Sequence, residues 1–391
     1  MHILWTIAAV ALFVSSIAAS KQDGGFQPAS TSGTDALAKQ GLVNLHKYQA
    51  EHKPSTGCNT GKAYVRKEWS TLSADEKTAY IDAVLCLQSK PSISGDLAPG
   101  AKNRFDDFVA THINQTLTIH GTGNFLSWHR YFTWTYEQAL RNECGYRGYQ
   151  PYHNWGKYAL DPIHSPVFDG SVTSMSGNGV YRDHSGANIP SNDAPLITIP
   201  PGVGGGCVES GPFQNMSVNL GPLAPALFDV QPNPDPSGLG YNPRCLRRDI
   251  SVFASSTSTT DQNSTNLITE NTDILSFQNT MQGDFAGGLL GVHTAGHFTV
   301  GGDPGGDLFA SPGDPWFYLH HAQIDRTWWI WQNQDLANRQ NAIAGTITLN
   351  NSPPSRNTTL QDIVELGVNA EGIEIAELMN TMDGPFCYIY A

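Results

Sequence analysis

The sequence predicts one mainly α domain with long irregular loops, and three observations carry that prediction. Three stretches are apolar or amphipathic over helical lengths. Residues 165–265, between the second and third of them, are rich in Gly, Pro, Ser and Thr with few periodic runs. No duplicated motif or block of charge marks a second domain. With 391 residues, 39% hydrophobic and 10% aromatic, the chain can bury a substantial core.

Taken in order, the elements begin with a leader. Ile3 to Ala19 is almost wholly apolar, and Ala18-Ala19-Ser20 offers a small-residue cleavage site. Residues 1–20 therefore read as a signal peptide, and the mature chain as secreted (extracellular). The run is shorter than the ~20 residues of a spanning helix and contains Thr6, Ser15 and Ser16, so no membrane partner is expected. Residues 21–55 are polar and read as a loose N-terminal arm. Residues 56–391 form the domain, ending in a short C-terminal tail of 60 residues after Trp331.

Within that domain Ser73-Ala74-Asp75-Glu76 is a capping box. Tyr80, Ile81, Val84, Leu85 and Leu87 give the helix that follows an apolar face. Phe125 to Leu140 is apolar and aromatic, long enough for a buried helix. The third stretch begins near Phe317 and continues through Trp328, Trp329, Ile330 and Trp331.

Composition narrows the function. Lys and Arg number 22 against 35 Asp and Glu, a formal net charge of −13 that argues against a nucleic-acid partner. Six cysteines (Cys58, Cys86, Cys144, Cys207, Cys245, Cys387) suit an oxidising compartment and permit three disulfides among 15 connectivities. Cys207–Cys245, which closes a Gly/Pro-rich loop, and Cys58–Cys387 are the favoured pairings, though spacing alone derives neither. Glycosylation sequons stand at Asn114, Asn215, Asn263, Asn350 and Asn357, about half of which are expected to be used.

The histidines carry the chemistry. Of thirteen, His112, His120 and His129 form one cluster, with His129 inside the apolar helix. An imidazole there needs a partner, because an unpaired buried polar group costs about 1–3 kcal/mol. A core histidine bonded to a backbone carbonyl is the plain alternative for any one of them. His293-Thr294-Ala295-Gly296-His297 forms a second cluster with His320 and His321 downstream. On a helix that i, i+4 pair points both rings from one face toward one ion. Gly296 weakens the helix but permits close backbone approach. Asp325, one turn after His321, can orient a ligand ring or a neighbouring Arg. An all-imidazole donor set suits copper or zinc.

His120 through Gly121-Thr122-Gly123-Asn124-Phe125-Leu126-Ser127-Trp128-His129-Arg130 to Glu137 resembles the first copper signature of the tyrosinase and catechol oxidase (polyphenol oxidase) family. Asp314-Pro315-Trp316-Phe317-Tyr318-Leu319-His320-His321-Ala322-Gln323-Ile324-Asp325 resembles the second. The likeness spans residues 58–332. It takes in Arg66-Lys67-Glu68-Trp69, and also Pro151-Tyr152-His153-Asn154-Trp155, where His153 replaces the family's usual Trp, a change expected to affect packing. The resemblance implies a central helical bundle holding a dinuclear, type-3 copper site. His112, His120 and His129 would bind copper A, and His293, His297 and His321 copper B. His321 is preferred to His320 because the family ligand stands four residues before its Asp. The implied partners are a phenolic small molecule and dioxygen. The implied activity is oxidation of ortho-diphenols to ortho-quinones, with the substrate entering near copper B through an apolar mouth.

Relatives that also hydroxylate monophenols tend to carry Asn after the first copper B histidine and a nearby Glu. Here Thr294 takes the first position, and no Glu lies between Glu270 and His293, where Gln278, Gln282 and Asp284 stand instead. Phe298 and Leu308 are candidate gate residues, or ordinary core. Many fungal tyrosinases join a Cys to the second copper A ligand, where this chain has Thr118. Catechol oxidase behaviour is therefore expected ahead of tyrosinase (monooxygenase) activity, and the leader and short tail resemble the short secreted fungal group. A tailoring phenol oxidase of secondary metabolism shares this active site. A haemocyanin-like oxygen carrier shares the copper pair, but a small, signal-bearing single chain argues against it. A zinc hydrolase is disfavoured because His293-Thr294-Ala295-Gly296-His297 holds no Glu to act as general base.

Overall fold

The computed structural model describes residues 26–191 and 195–391. The signal peptide expected over 1–20 lies outside them. Among the described residues the frame is carried by α1 (Ser32–Glu51), α2 (Ala74–Ser89), α3 (Arg104–Ile119), α4 (Phe125–Cys144) and α5 (Trp155–Tyr158), then α6 (Val252–Ser258), α7 (Asp261–Glu270), α8 (Ile274–Gln282), α9 (Gly291–Val300) and α10 (Phe317–Gln334), with the short α11 (Leu336–Arg339) after it. The mainly α prediction holds, with α3, α4, α9 and α10 around the centre. The three helical stretches of the sequence are α2, α4 and α10.

Local chemistry sets several ends. Ser73 Oγ accepts from Glu76 N while Glu76 Oε2 accepts from Ser73 N, so the expected capping box opens α2. Asn103 and Asp106 make a second one at α3. Gly145, at φ +70°, ends α4 in the left-handed conformation that glycine adopts without strain. On α2, Tyr80, Ile81, Val84 and Leu87 are buried, but Leu85 turns outward and is 37% exposed. Five apolar positions over eight residues exceed what one helical face holds. α10 is the reverse case, with 17 of its 18 residues buried.

The loose arm expected over residues 21–55 is corrected by α1, which lies against α10 and α7. Its buried face is Thr34, Ala38, Gly41 and Leu45, at helical spacing and small apart from Leu45. A Cβ added at Gly41 would lie 3.0 Å from Asn333 Cβ, so this close approach depends on the missing side chain. The helix start is capped from far along the chain. Asp261 accepts from Gly33 N at 2.8 Å and Thr34 N at 3.1 Å.

The Gly/Pro-rich middle forms short two-stranded pieces, among them Ala187–Ile189 paired antiparallel with Ile197–Ile199. Both favoured disulfides form, Cys207–Cys245 and Cys58–Cys387, and Cys86–Cys144 is the third. The tail after α10 folds back, so that Tyr388–Tyr390 pairs in parallel with Tyr64–Arg66 beside the Cys58–Cys387 bridge. No helix among the described residues is long and apolar enough to cross a membrane.

Candidate metal centre

Each histidine of the two clusters is delivered by a helix of the centre. α3 carries His112 and ends at His120, and α4 carries His129. α9 carries His293 and His297, and α10 carries His320 and His321. The two trios face each other. In the first, ring centroids lie 5.1–5.7 Å apart. In the second, His293, His297 and His321 lie 4.8–5.4 Å apart. His129 stacks on His321 at 4.4 Å and joins them.

Backbone carbonyls fix the rings of the first trio. The Nδ1–H of His112 donates to Phe309 O at 2.7 Å, that of His120 to Thr116 O at 3.0 Å, and that of His129 to Phe125 O at 2.7 Å. That fixes one tautomer and turns Nε2 away from the backbone, the arrangement that orients metal-binding imidazoles. Nε2 of His112 and of His129 is buried without a partner, as are both ring nitrogens of His293 and Nδ1 of His321. Nε2 of His321 meets Nε2 of His297 at 3.3 Å.

Burial is the largest cause holding every one of these rings below the ordinary histidine range, with repulsion among neighbours adding to it for most. His120 is pushed down to about 4 and His297 to about 3. The rings are thus neutral at neutral pH, with lone pairs free for a cation. Orphaned buried nitrogens are unstable at about 1–3 kcal/mol each, and a metal ion is the partner this donor set fits. Copper suits six neutral imidazoles.

His320 joins the second cluster in space, but its Nε2–H donates to His293 O at 3.1 Å and its ring stacks on Trp316. Gly296 makes room for it: a Cβ there would lie 2.1 Å from His320 Cε1. Asp325 turns to neighbouring arginines. It accepts from Arg130 Nε at 2.6 Å, Arg66 Nη1 at 3.4 Å, and the hydroxyls of Tyr388 and Tyr390. Burial opposes its ionisation, yet Arg130 and Arg66 hold its carboxyl below the usual range. His153 is buried, and its Nδ1 accepts from Trp316 Nε1 at 2.9 Å. It thus has a bonding role as well as a packing one.

A cavity of about 270 Å³ opens over His120, His293 and His297, and Thr294, Phe298 and Leu308 line it. Sequence reasoning did not find Asn188, Ile189, Phe285 and Asp307, which line it too. Asn188 and Ile189 come from a three-residue strand and Phe285 and Asp307 from connections between helices, pieces too short for a spacing rule. All six cysteines are in disulfides, so none remains to cross-link the His120 ring. Of the sequon residues, Asn114, Asn215, Asn350 and Asn357 are exposed, whereas Asn263 is half-buried and its Oδ1 accepts from Thr260 N.

A helical centre with two facing imidazole trios and an apolar cavity above them is the frame of a dinuclear copper protein. The chain belongs to the tyrosinase family, whose common central domain matches residues 102–334. That family is built on a type-3 copper pair. The chain is 45% identical over 323 residues to tyrosinase-like protein orsC of Emericella nidulans, covering 78% of this chain and 85% of that one. It is 39% identical over 348 residues to N-acetyl-6-hydroxytryptophan oxidase ivoB of the same organism, covering 85% and 93%. Its fold matches the structure of a polyphenol oxidase variant from Thermothelomyces thermophila with a TM-score of 0.85 and 42% identity, over 92% of this chain and 98% of that one.

Proposed function

We propose that this chain is a secreted dinuclear copper oxidase that converts ortho-diphenols to ortho-quinones. Each diphenol gives up two electrons and two protons, and two diphenols reduce one dioxygen to two waters. The observation that carries the reading is the pair of facing trios with buried, unsatisfied ring nitrogens. In this reading His112, His120 and His129 hold one copper ion, and His293, His297 and His321 the other. His320 is left out because its Nε2–H is already donated to His293 O. Copper supplies the redox chemistry between phenol and dioxygen. The chain's own work is orientation and exclusion. Carbonyls of Thr116, Phe125 and Phe309 aim the first trio, burial keeps all six rings neutral, and the apolar cavity admits a flat ring while limiting water. Phe298 and Leu308 act as its gate.

Diphenols are favoured over monophenols. Hydroxylating a monophenol requires a base for a proton of pKa ~10. The Thr294 hydroxyl donates to Gln282 O at 2.6 Å. The Gln282 amide accepts from Gly121 N and donates to Gln278 O. Asp284 is exposed, with Oδ1 accepting from Gly287 N. Thr294 and Gln282 are thus engaged with neighbouring groups, and Asp284 is not among the described residues that line the cavity. A second reading, an oxidase dedicated to one phenolic intermediate of secondary metabolism, draws on ivoB, which is named for a single hydroxylated substrate.

Secretion rests on the apolar leader and on three disulfides. The proposed glycan positions are Asn114, Asn215, Asn350 and Asn357. Metal analysis and oxygen uptake with tyrosol, catechol, an ortho-aminophenol and a bulky diphenol test the reading together. About two copper ions per chain and rapid catechol oxidation are expected, and His297→Ala should abolish uptake with all four substrates. Zinc in place of copper, or an active His297→Ala protein, would overturn it.

A further inference from the structure

The cavity over the second trio has a wall chemistry that selects its occupant. Ile189, Pro225, Phe285, Phe298 and Leu308 give it apolar walls. Apart from histidine, one ionisable side chain lines it among the described residues, the buried Asp307. That carboxylate is fully committed. Oδ2 accepts from Leu223 N at 2.7 Å and Ala224 N at 2.9 Å, while Oδ1 accepts from Phe309 N at 2.8 Å and Ala310 N at 3.2 Å. It therefore ties two loops together and has no lone pair left for an ammonium group. No Lys or Arg stands among the described lining residues to meet a carboxylate. A charged substituent buried against these described lining side chains gives up water and finds no free counter-charge among them, which is unfavourable.

Besides the Thr294 hydroxyl, already given to Gln282 O, the neutral side-chain donors on the described wall are the hydroxyls of Ser191 and Ser311 and the amide of Asn188. Thr198 Oγ1 donates to Asn188 Oδ1 at 2.9 Å, which assigns the amide oxygen to that bond. The Asn188 NH₂ is then without a partner among the described residues, on a side chain that lines the cavity. The strand pair Ala187–Ile189 and Ile197–Ile199 holds it in place. The complement of a neutral donor on an apolar wall is a neutral acceptor.

We infer that this pocket selects an uncharged ortho-diphenol bearing a carbonyl substituent, with Asn188 as the residue that recognises the carbonyl. The inference rests on the oxidase reading above and adds the substrate class to it. The test is kcat/KM for dihydrocaffeate methyl ester, its free acid dihydrocaffeate, dopamine and methylcatechol. It is run in about 1 M salt, where the screening length falls to ~3 Å and the net charge of −13 no longer steers the ions. The ester should exceed both the anion and the cation at least fivefold. Asn188→Leu should lower the ratio of ester to methylcatechol at least threefold, and the isosteric Asn188→Asp should raise dopamine relative to the ester. Either ion within fivefold of the ester overturns the inference, and so does an unchanged ester ratio in Asn188→Leu. If no diphenol is oxidised, the oxidase reading has failed instead. Anaerobic calorimetry then ranks the ester against the two ions by Kd, with the same fivefold criterion.

Discussion

At Thr294 one hydroxyl bears on the balance between two chemistries. It donates to the Gln282 carbonyl, so its orientation is set by that bond and only a weakly basic hydroxyl oxygen is left beside His293. Asparagine there can keep the donated bond through its NH₂ and turn its carbonyl oxygen toward the cavity. Thr294→Asn is therefore expected to raise the tyrosol rate relative to catechol by roughly tenfold, less than the ~10²-fold of a fully placed base. An unchanged ratio in an oxygen-electrode assay would count against a role for this position. Spacing made His293 and His297 legible as an i, i+4 pair, and the family resemblance supplied the full set of six histidines. Neither showed that His153 accepts the Trp316 indole proton, since a bond between residues 163 positions apart has no local signature.

At the scale of elements, α1 teaches the most. A polar stretch hid a packed helix, because the face it buries is made, apart from Leu45, of small residues that barely register as hydrophobic. Its N-terminus is satisfied by Asp261, whose carboxylate also accepts from the Thr34 hydroxyl. Removing that cap leaves backbone donors of the first turn unpaired. Asp261→Ala should lower stability by about 1–2 kcal/mol, read as a fall in the urea midpoint with the slope unchanged. A midpoint equal to that of the parent protein would show that α1 is held by packing alone. In contrast, α2, α4 and α10 were legible because a capping box, apolar periodicity and an aromatic run are local properties.

For the whole molecule, the concentration of neutral imidazoles predicts acid sensitivity. Seven buried histidines and the half-buried His297 have folded values below the ordinary 6.5, among them His120 at about 4, and His153 and His297 at about 3. The unfolded chain takes up protons near 6.5 while the folded chain does not. Stability is therefore full above that pH and lost progressively as pH falls from 6.5 to about 3. The metal-free protein should show a Tm that drops steeply across this range. Copper loading should blunt the drop, because a cation competes with protons for the same lone pairs. A flat profile in the metal-free protein would contradict the neutrality of the cluster.

The sequence by itself determined the helical centre, the histidines with their spacing, and the signatures that place the chain in its family. Each of these is written in residues near one another along the chain. Tertiary structure alone decided which nitrogen of each ring faces inward, which arginines Asp325 binds, and what walls the cavity. Those outcomes depend on segments brought together from far apart, such as Phe309 at His112 and Asn188 near His293. Hydrogen bonds and close packing over such separations arise only when the whole chain has folded.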